Sequence, residues 1–184
     1  MIKNLILSTA ITAISTLGAM AGNAVTKFDV AEDHTRFSFA AAPVHDSGMP
    51  AAGNPFITQG YVYPAGTLTG NITGVLEDGS AAFPDKVLGT WTCDGWFVGE
   101  GGDATTGVWL VSRQIIQFND GDVIITQGTE LADVGVGNIR PITGASGDYA
   151  EFDGSMQQTM LGFTEFMGVN ATFKILEETE NTYN

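Results

Sequence analysis

Few side chains in this sequence are of types that do chemistry unaided, and their spacing narrows the choice. There is one cysteine, Cys93, and there are two histidines, His34 and His45. Neither histidine has a His, Cys or acidic partner at metal-ligand spacing, so both read as surface residues and no metal site is expected. No serine sits in a nucleophile-elbow context, so a Ser-His-Asp triad is not supported. Asp120-Gly121-Asp122 and the loop Glu100 to Asp103 offer oxygens to calcium, but neither has EF-hand spacing, and both read as solvated turns. The stretch Gly144-Ala145-Ser146-Gly147 is not followed by Lys-Ser/Thr or by a helix, which excludes a phosphate cradle. No cofactor is called for. Arg113 and Arg140 are rare cations in an acidic chain; either could anchor a ligand carboxylate or form a structural ion pair.

The elements that must position these residues are strands. Lys27-Phe28-Asp29-Val30 reads as a short first strand, and Thr35 to Ala40 as another, with Phe37 and Phe39 on one face. Residues 41–55 hold Pro43, Pro50 and Pro55 and read as a loop. Phe56 to Tyr63 is a strand ended by Pro64. A short strand near Ile72 is expected in the weaker segment Thr67 to Pro84. Lys86 to Val98 is β-like with a bend at Asp94-Gly95. Val108 to Phe118 pairs with Val123 to Glu130 through Asn119-Asp120-Gly121-Asp122, because Asp-Gly accepts the positive φ of a hairpin turn. After the glycine-punctuated stretch Val136 to Gly154, in which Tyr149 is read as restarting an extended segment, Ser155 to Leu161 and Gly168 to Leu176 form a last pair. No sustained helical stripe appears, so the chain reads as all-β, a sandwich or a closed barrel.

Length and charge bound the rest. A chain of 184 residues is most simply one domain with a sizeable core. Twenty-one acidic against seven basic residues give a formal charge of −14, which repels phosphate backbones and argues against nucleic-acid binding. Residues 1–24 read as a secretory signal peptide: Lys3 opens it, Leu5 to Leu17 is mostly apolar, and Ala19-Met20-Ala21 and Gly22-Asn23-Ala24 offer small residues for cleavage. The mature protein is therefore expected to be secreted or periplasmic and free of the membrane, with a barrel domain over 25–177 and a frayed tail over 178–184. A single cysteine forms no internal disulfide.

Residues 142–154 resemble a segment of the allene oxide cyclase and dirigent barrel families, of the form Ile-Thr-Gly-Gly-(Ser/Thr)-Gly-x-(Phe/Tyr) closed by a later glycine. Here it stands as Ile142-Thr143-Gly144-Ala145-Ser146-Gly147-Asp148-Tyr149, with Gly154 closing; Ala145 and Phe152 depart from the pattern. Phe118 to Gly128 and Pro55-Phe56-Ile57-Thr58-Gln59 resemble upstream family segments in the same order. The resemblance spans about residues 27–177 and implies an eight-stranded antiparallel β-barrel with an apolar interior, assembled as a homodimer or homotrimer.

The resemblance also implies where a site would lie. In allene oxide cyclases a carboxylate and an asparagine on early strands, and a cysteine on a middle strand, stand at an apolar cavity. Asp29 is the carboxylate on the first strand, as acid or base if buried, or an exposed strand residue. Gln59 stands near the family's asparagine, as a substrate hydrogen-bond donor or an ordinary wall amide. Cys93 is on the matching strand, as a reactive thiol or a small buried hydrophobe. Phe37, Phe39, Tyr61, Tyr63, Trp91 and Trp109, with Arg113, are candidates to line the cavity, with core and inter-subunit packing as the alternative. The function implied is intramolecular cyclisation or isomerisation of a hydrophobic small molecule. A non-catalytic ligand-binding or dirigent-like guiding protein, or a barrel plugged by its own side chains, remains open.

Overall fold

The computed structural model describes residues 24–68, 72–152 and 154–177; all but the last residue of the signal peptide expected at 1–24, and the tail expected at 178–184, lie outside them. Among the described residues nine strands form one antiparallel sheet: β1 (Lys27–Glu32), β2 (Ser38–Phe39), β3 (Pro55–Pro64), β4 (Gly89–Phe97), β5 (Val108–Phe118), β6 (Val123–Leu131), β7 (Gly137–Ala145), β8 (Gly154–Phe163) and β9 (Val169–Glu177). From β3 to β9 each strand pairs with the next, β9 pairs with β1, and β1 pairs back onto β3. The sheet is thus a closed barrel of eight strands, with the two-residue β2 appended to β3. Closure brings β1 tight against β3 at Gly60, where a methyl group would overlap the carbonyl of Ala31.

Alternation along each strand sorts side chains between lumen and exterior. On β1, Phe28, Val30 and Glu32 face in; on β4, Trp91, Cys93 and Phe97; on β6, Ile124, Thr126 and Glu130. The β5–β6 turn closes as expected at Asp120-Gly121, with Gly121 at φ +100° and Phe118 N–H donating to Asp122 O at 2.8 Å.

Four local expectations are corrected. Thr35 to Ala40 is not one strand, because the Asp33 carboxylate caps a single 3-10 turn at His34–Arg36, accepting from Thr35 N at 3.0 Å and Thr35 Oγ1 at 2.7 Å. Among the described residues no strand forms near Ile72; from Ile72 onward the segment makes only a bridge between Val75 and Ala81 and lies against the outer barrel wall. β4 runs through Asp94-Gly95 without interruption, paired to β3 and β5, since Gly95 leaves room for the Val111 carbonyl that a side chain would strike. Tyr149 does not restart a strand but ends a 3-10 turn at Gly147–Tyr149, and the next strand begins at Gly154. Gly147, at φ +63°, is the position in that turn where a side chain would collide with Asp122. Tyr149 itself is buried, its hydroxyl donating to Val25 O at 3.2 Å and accepting from Val25 N at 2.8 Å, which ties the residues before β1 to the β7–β8 connection.

Candidate functional site

The lumen is built in three layers. One end is filled: Phe28 stacks on Phe173 at 5.2 Å, Phe118 on Tyr149 at 5.2 Å, and Phe28 meets Phe118 edge-on at 5.7 Å. Such rings at these separations supply the largest share of apolar burial in a small barrel.

The middle layer is polar. Arg140, on β7, is completely buried; its Nη2 donates to Ser112 O and Oγ, both at 3.0 Å, its Nη1 to Thr129 O at 2.9 Å, and its Nε to Thr126 Oγ1 at 3.2 Å. Nη1 also stands 3.8 Å from Glu130 Oε1. The Glu130 carboxylate accepts from Ser112 Oγ and, at 2.7 Å, from Gln158 Nε2, while Gln158 Oε1 accepts from Gln114 Nε2 at 3.0 Å. A buried carboxylate held by a guanidinium and several hydrogen bonds avoids the desolvation cost an isolated charge would carry.

Above this layer the lumen opens as a cavity of about 280 Å3, close to the lower end of the roughly 300–1,000 Å3 range of small-molecule sites. Its walls are mainly Phe56, Trp91, Phe97, Trp109, Leu110 and Met160, and its floor includes Cys93, Glu130 and Gln158. Phe37, Phe39 and Met49 come from the β1–β3 connection, and Phe163, Phe166 and Met167 from the β8–β9 hairpin; His34 stacks on Phe166 at 4.9 Å. Into the same cavity projects Glu32, the last residue of β1, of which one oxygen accepts from Val169 N at 2.8 Å. Burial pushes the Glu32 carboxyl above the usual carboxylate range, with the like charge of Glu130 adding to the effect. The Val169 N–H and the Thr58 hydroxyl, which stands beside it without a well-formed hydrogen bond, pull the other way. Cys93 donates to Glu130 Oε1 at 3.4 Å, and burial, then the Glu130 charge, raises its thiol well above the ordinary value.

The structure brings together only part of the expected set. Phe37, Phe39, Trp91, Trp109 and Cys93 line the cavity. Asp29, Gln59, Tyr61, Tyr63 and Arg113 do not: each has the opposite strand parity from a lumen residue and projects outward. Asp29 is buried, but beneath the outer segment, where it accepts from Leu68 N at 2.9 Å. Tyr63 is buried in the same outer cluster with Ala31, Leu68 and Val75, its hydroxyl donating to Gly74 O at 2.7 Å, and Tyr61 packs against that cluster. Gln59 is exposed and accepts from Arg36 Nη1 at 3.2 Å. Arg113 is exposed, its Nη2 2.9 Å from Asp94 Oδ1. His34, read as a surface residue, instead stands at the cavity mouth, while His45 is at the surface and faces Glu100 O at 2.9 Å.

No family sequence model matches the chain, and no curated protein matches it by sequence. Among solved structures it is similar to the pterocarpan synthase dirigent protein PsPTS1, with a TM-score of 0.52 over 80% of this chain and 88% of that one, at 14% identity. The chain folds as a dirigent-type barrel. At that identity the likeness is one of backbone path, so the chemistry of this dirigent-type barrel rests on its own lumen. The lumen residues that sequence reasoning missed are Glu32, Glu130 and Arg140's position beneath them. A signal was available for the two glutamates. Glu32 follows Phe28 and Val30 on one face of β1, and Glu130 follows Ile124 and Thr126 on one face of β6.

Proposed function

We propose that this dirigent-type barrel binds a hydrophobic small molecule in its lumen and promotes an intramolecular cyclisation or isomerisation of it. The observation that carries this reading is an aromatic-walled cavity of about 280 Å3 with the Glu32 carboxyl inside it and the Glu130–Arg140 pair beneath. The apolar wall would fold a flexible substrate into a reactive conformer and exclude water, which contributes by orientation. Glu32, with its raised pKa, is suited to hand a proton to a developing oxyanion or to take one from carbon; Glu130, charge-compensated by Arg140, fixes the polar end of the substrate. A barrel of this fold serves as a pterocarpan synthase, so the scaffold is compatible with catalysis.

The likeness to a dirigent protein supports a second reading, in which the lumen holds and orients a molecule whose chemistry is done elsewhere. The two separate in one experiment: the purified barrel domain is given linear polyene and epoxide substrates, and products are followed by chiral chromatography. Turnover that falls about 10²-fold or more in Glu32→Gln supports catalysis. Saturable binding with no product supports the second reading, and neither binding nor product removes both. The proposal extends to export by the leader at residues 1–24 and to self-association as a dimer or trimer. The outward Ile57, Trp96 and Val111, all substantially exposed on neighbouring strands, offer an apolar face for the latter.

A further inference from the structure

The polar end of the ligand is constrained by which charges reach the lumen and which do not. Among the described lining residues the ionisable side chains are Glu32, His34, Cys93 and Glu130; none is a lysine or an arginine. The nearest guanidinium, Arg140, is turned away from the cavity and engaged by Ser112, Thr126 and Thr129. Arg36 and Arg113 lie outside the barrel on Asp33 and Asp94. His34 sits at the mouth, with Nε2 3.2 Å from Glu77 O, and not beside the floor.

Resting on the reading of the lumen as a small-molecule site, we infer that it selects a ligand whose polar end is a hydrogen-bond donor without negative charge, a hydroxyl or an ammonium, and rejects carboxylates. One Glu32 oxygen is taken by Val169 N–H, and the carboxyl lines the cavity beside the buried Thr58 hydroxyl, which has no well-formed partner of its own. A buried hydroxyl without a partner is costly, and a ligand hydroxyl or ammonium that donates to Thr58 Oγ1 and the Glu32 carboxyl relieves that cost. A carboxylate would instead bring a negative charge up to the Glu130 carboxylate and the Glu32 carboxyl in a weakly screening interior, and no lysine or arginine among the described lining residues meets it. The aromatic walls favour the same choice, since ring faces attract ammonium and tolerate a neutral hydroxyl.

Three probes with one skeleton test this: 4-phenylbutanol, 4-phenylbutylamine and 4-phenylbutyrate, titrated at pH 7 into the barrel domain by calorimetry and by Trp91 and Trp109 fluorescence. The alcohol and the amine are expected to bind, with the butyrate about tenfold weaker or more than the better of them. In Glu32→Gln that gap should narrow. A tighter amine than alcohol identifies a cationic ligand, and the reverse a neutral one; both support the inference. Butyrate binding as tightly as the others overturns it while leaving the small-molecule reading intact. Failure of all three to bind removes the small-molecule reading and the inference with it.

Discussion

Replacing Arg140 by methionine removes the cation beneath the lumen and leaves the Glu130 carboxylate buried without its charge partner. Arg140 Nη1 and Glu130 Oε1 are 3.8 Å apart. At an effective dielectric of about 20 that separation corresponds to a Coulomb attraction of about 4 kcal/mol. Four hydrogen bonds from the guanidinium, to Ser112, Thr126 and Thr129, are lost with it. These terms overlap, and breaking a buried pair from one side typically costs about 3–5 kcal/mol. That is a large part of the stability of a domain this size. The assay is urea denaturation followed by tryptophan fluorescence. With a slope of about 2 kcal/mol per molar, the midpoint should fall by about 2 M. Arg113→Met is the control: the guanidinium it removes is exposed and pairs with Asp94 on the outer wall, so its midpoint should move little. Adding Glu130→Gln to Arg140→Met should recover part of the loss, because the stranded charge is gone. A midpoint for Arg140→Met within about 0.3 M of the parent would refute the reasoning, since the pair would then carry no net stabilisation.

Three further outcomes are expected. The folded-state pKa of Glu32 is raised above its unfolded value, so its favourable contribution is full below about pH 4.5 and is lost as pH rises through the folded pKa. Glu32→Gln should therefore gain stability relative to the parent as pH rises, in denaturation curves taken from pH 4 to 8; a pH-independent difference would contradict this. Cys93, buried with its thiol raised, should resist Ellman's reagent in the native protein and react at once in urea; fast native labelling would show that the lumen floor opens. Asp29→Ala should cost about 1–3 kcal/mol by orphaning the Leu68 N–H under the outer segment, yet leave binding of lumen ligands unchanged; a loss of binding with intact stability would return Asp29 to the site.

The sequence made the architecture readable because its signals are local. Asp-Gly at 120–121 is a hairpin turn wherever it stands between alternating strands, and Gly147 supplies the positive φ of its own turn. The resemblance carried by residues 142–154 then supplied the closed topology. Which side chains enter the lumen was harder to read, for a physical reason at β1 and β3. There both faces are buried, one by the lumen and one by the outer segment around Leu68 and Val75, so the alternation of apolar and polar residues is lost. Asp29 and Tyr63 thus look as internal as Val30 and Val62, and only register against the other strands separates them. At β5 and β7 the two arginines present the same ambiguity, since Arg113 and Arg140 are alike in sequence and opposite in direction. Glu32 was hidden in a different way. The Asp33 cap that ends β1 made the residues around it look like a connection, although Glu32 still belongs to the strand.

The central claim is that the open end of this dirigent-type barrel receives a hydrophobic small molecule with its polar end at Glu32 and Glu130. A crystal structure of the barrel domain soaked with 4-phenylbutanol tests that most directly. The expected density lies between Trp91, Phe97 and Trp109, with the hydroxyl within hydrogen-bonding distance of the Glu32 carboxyl. Density confined to the outer wall beside Tyr61 and Asp29, with a lumen closed over by its own aromatic side chains, would contradict the claim.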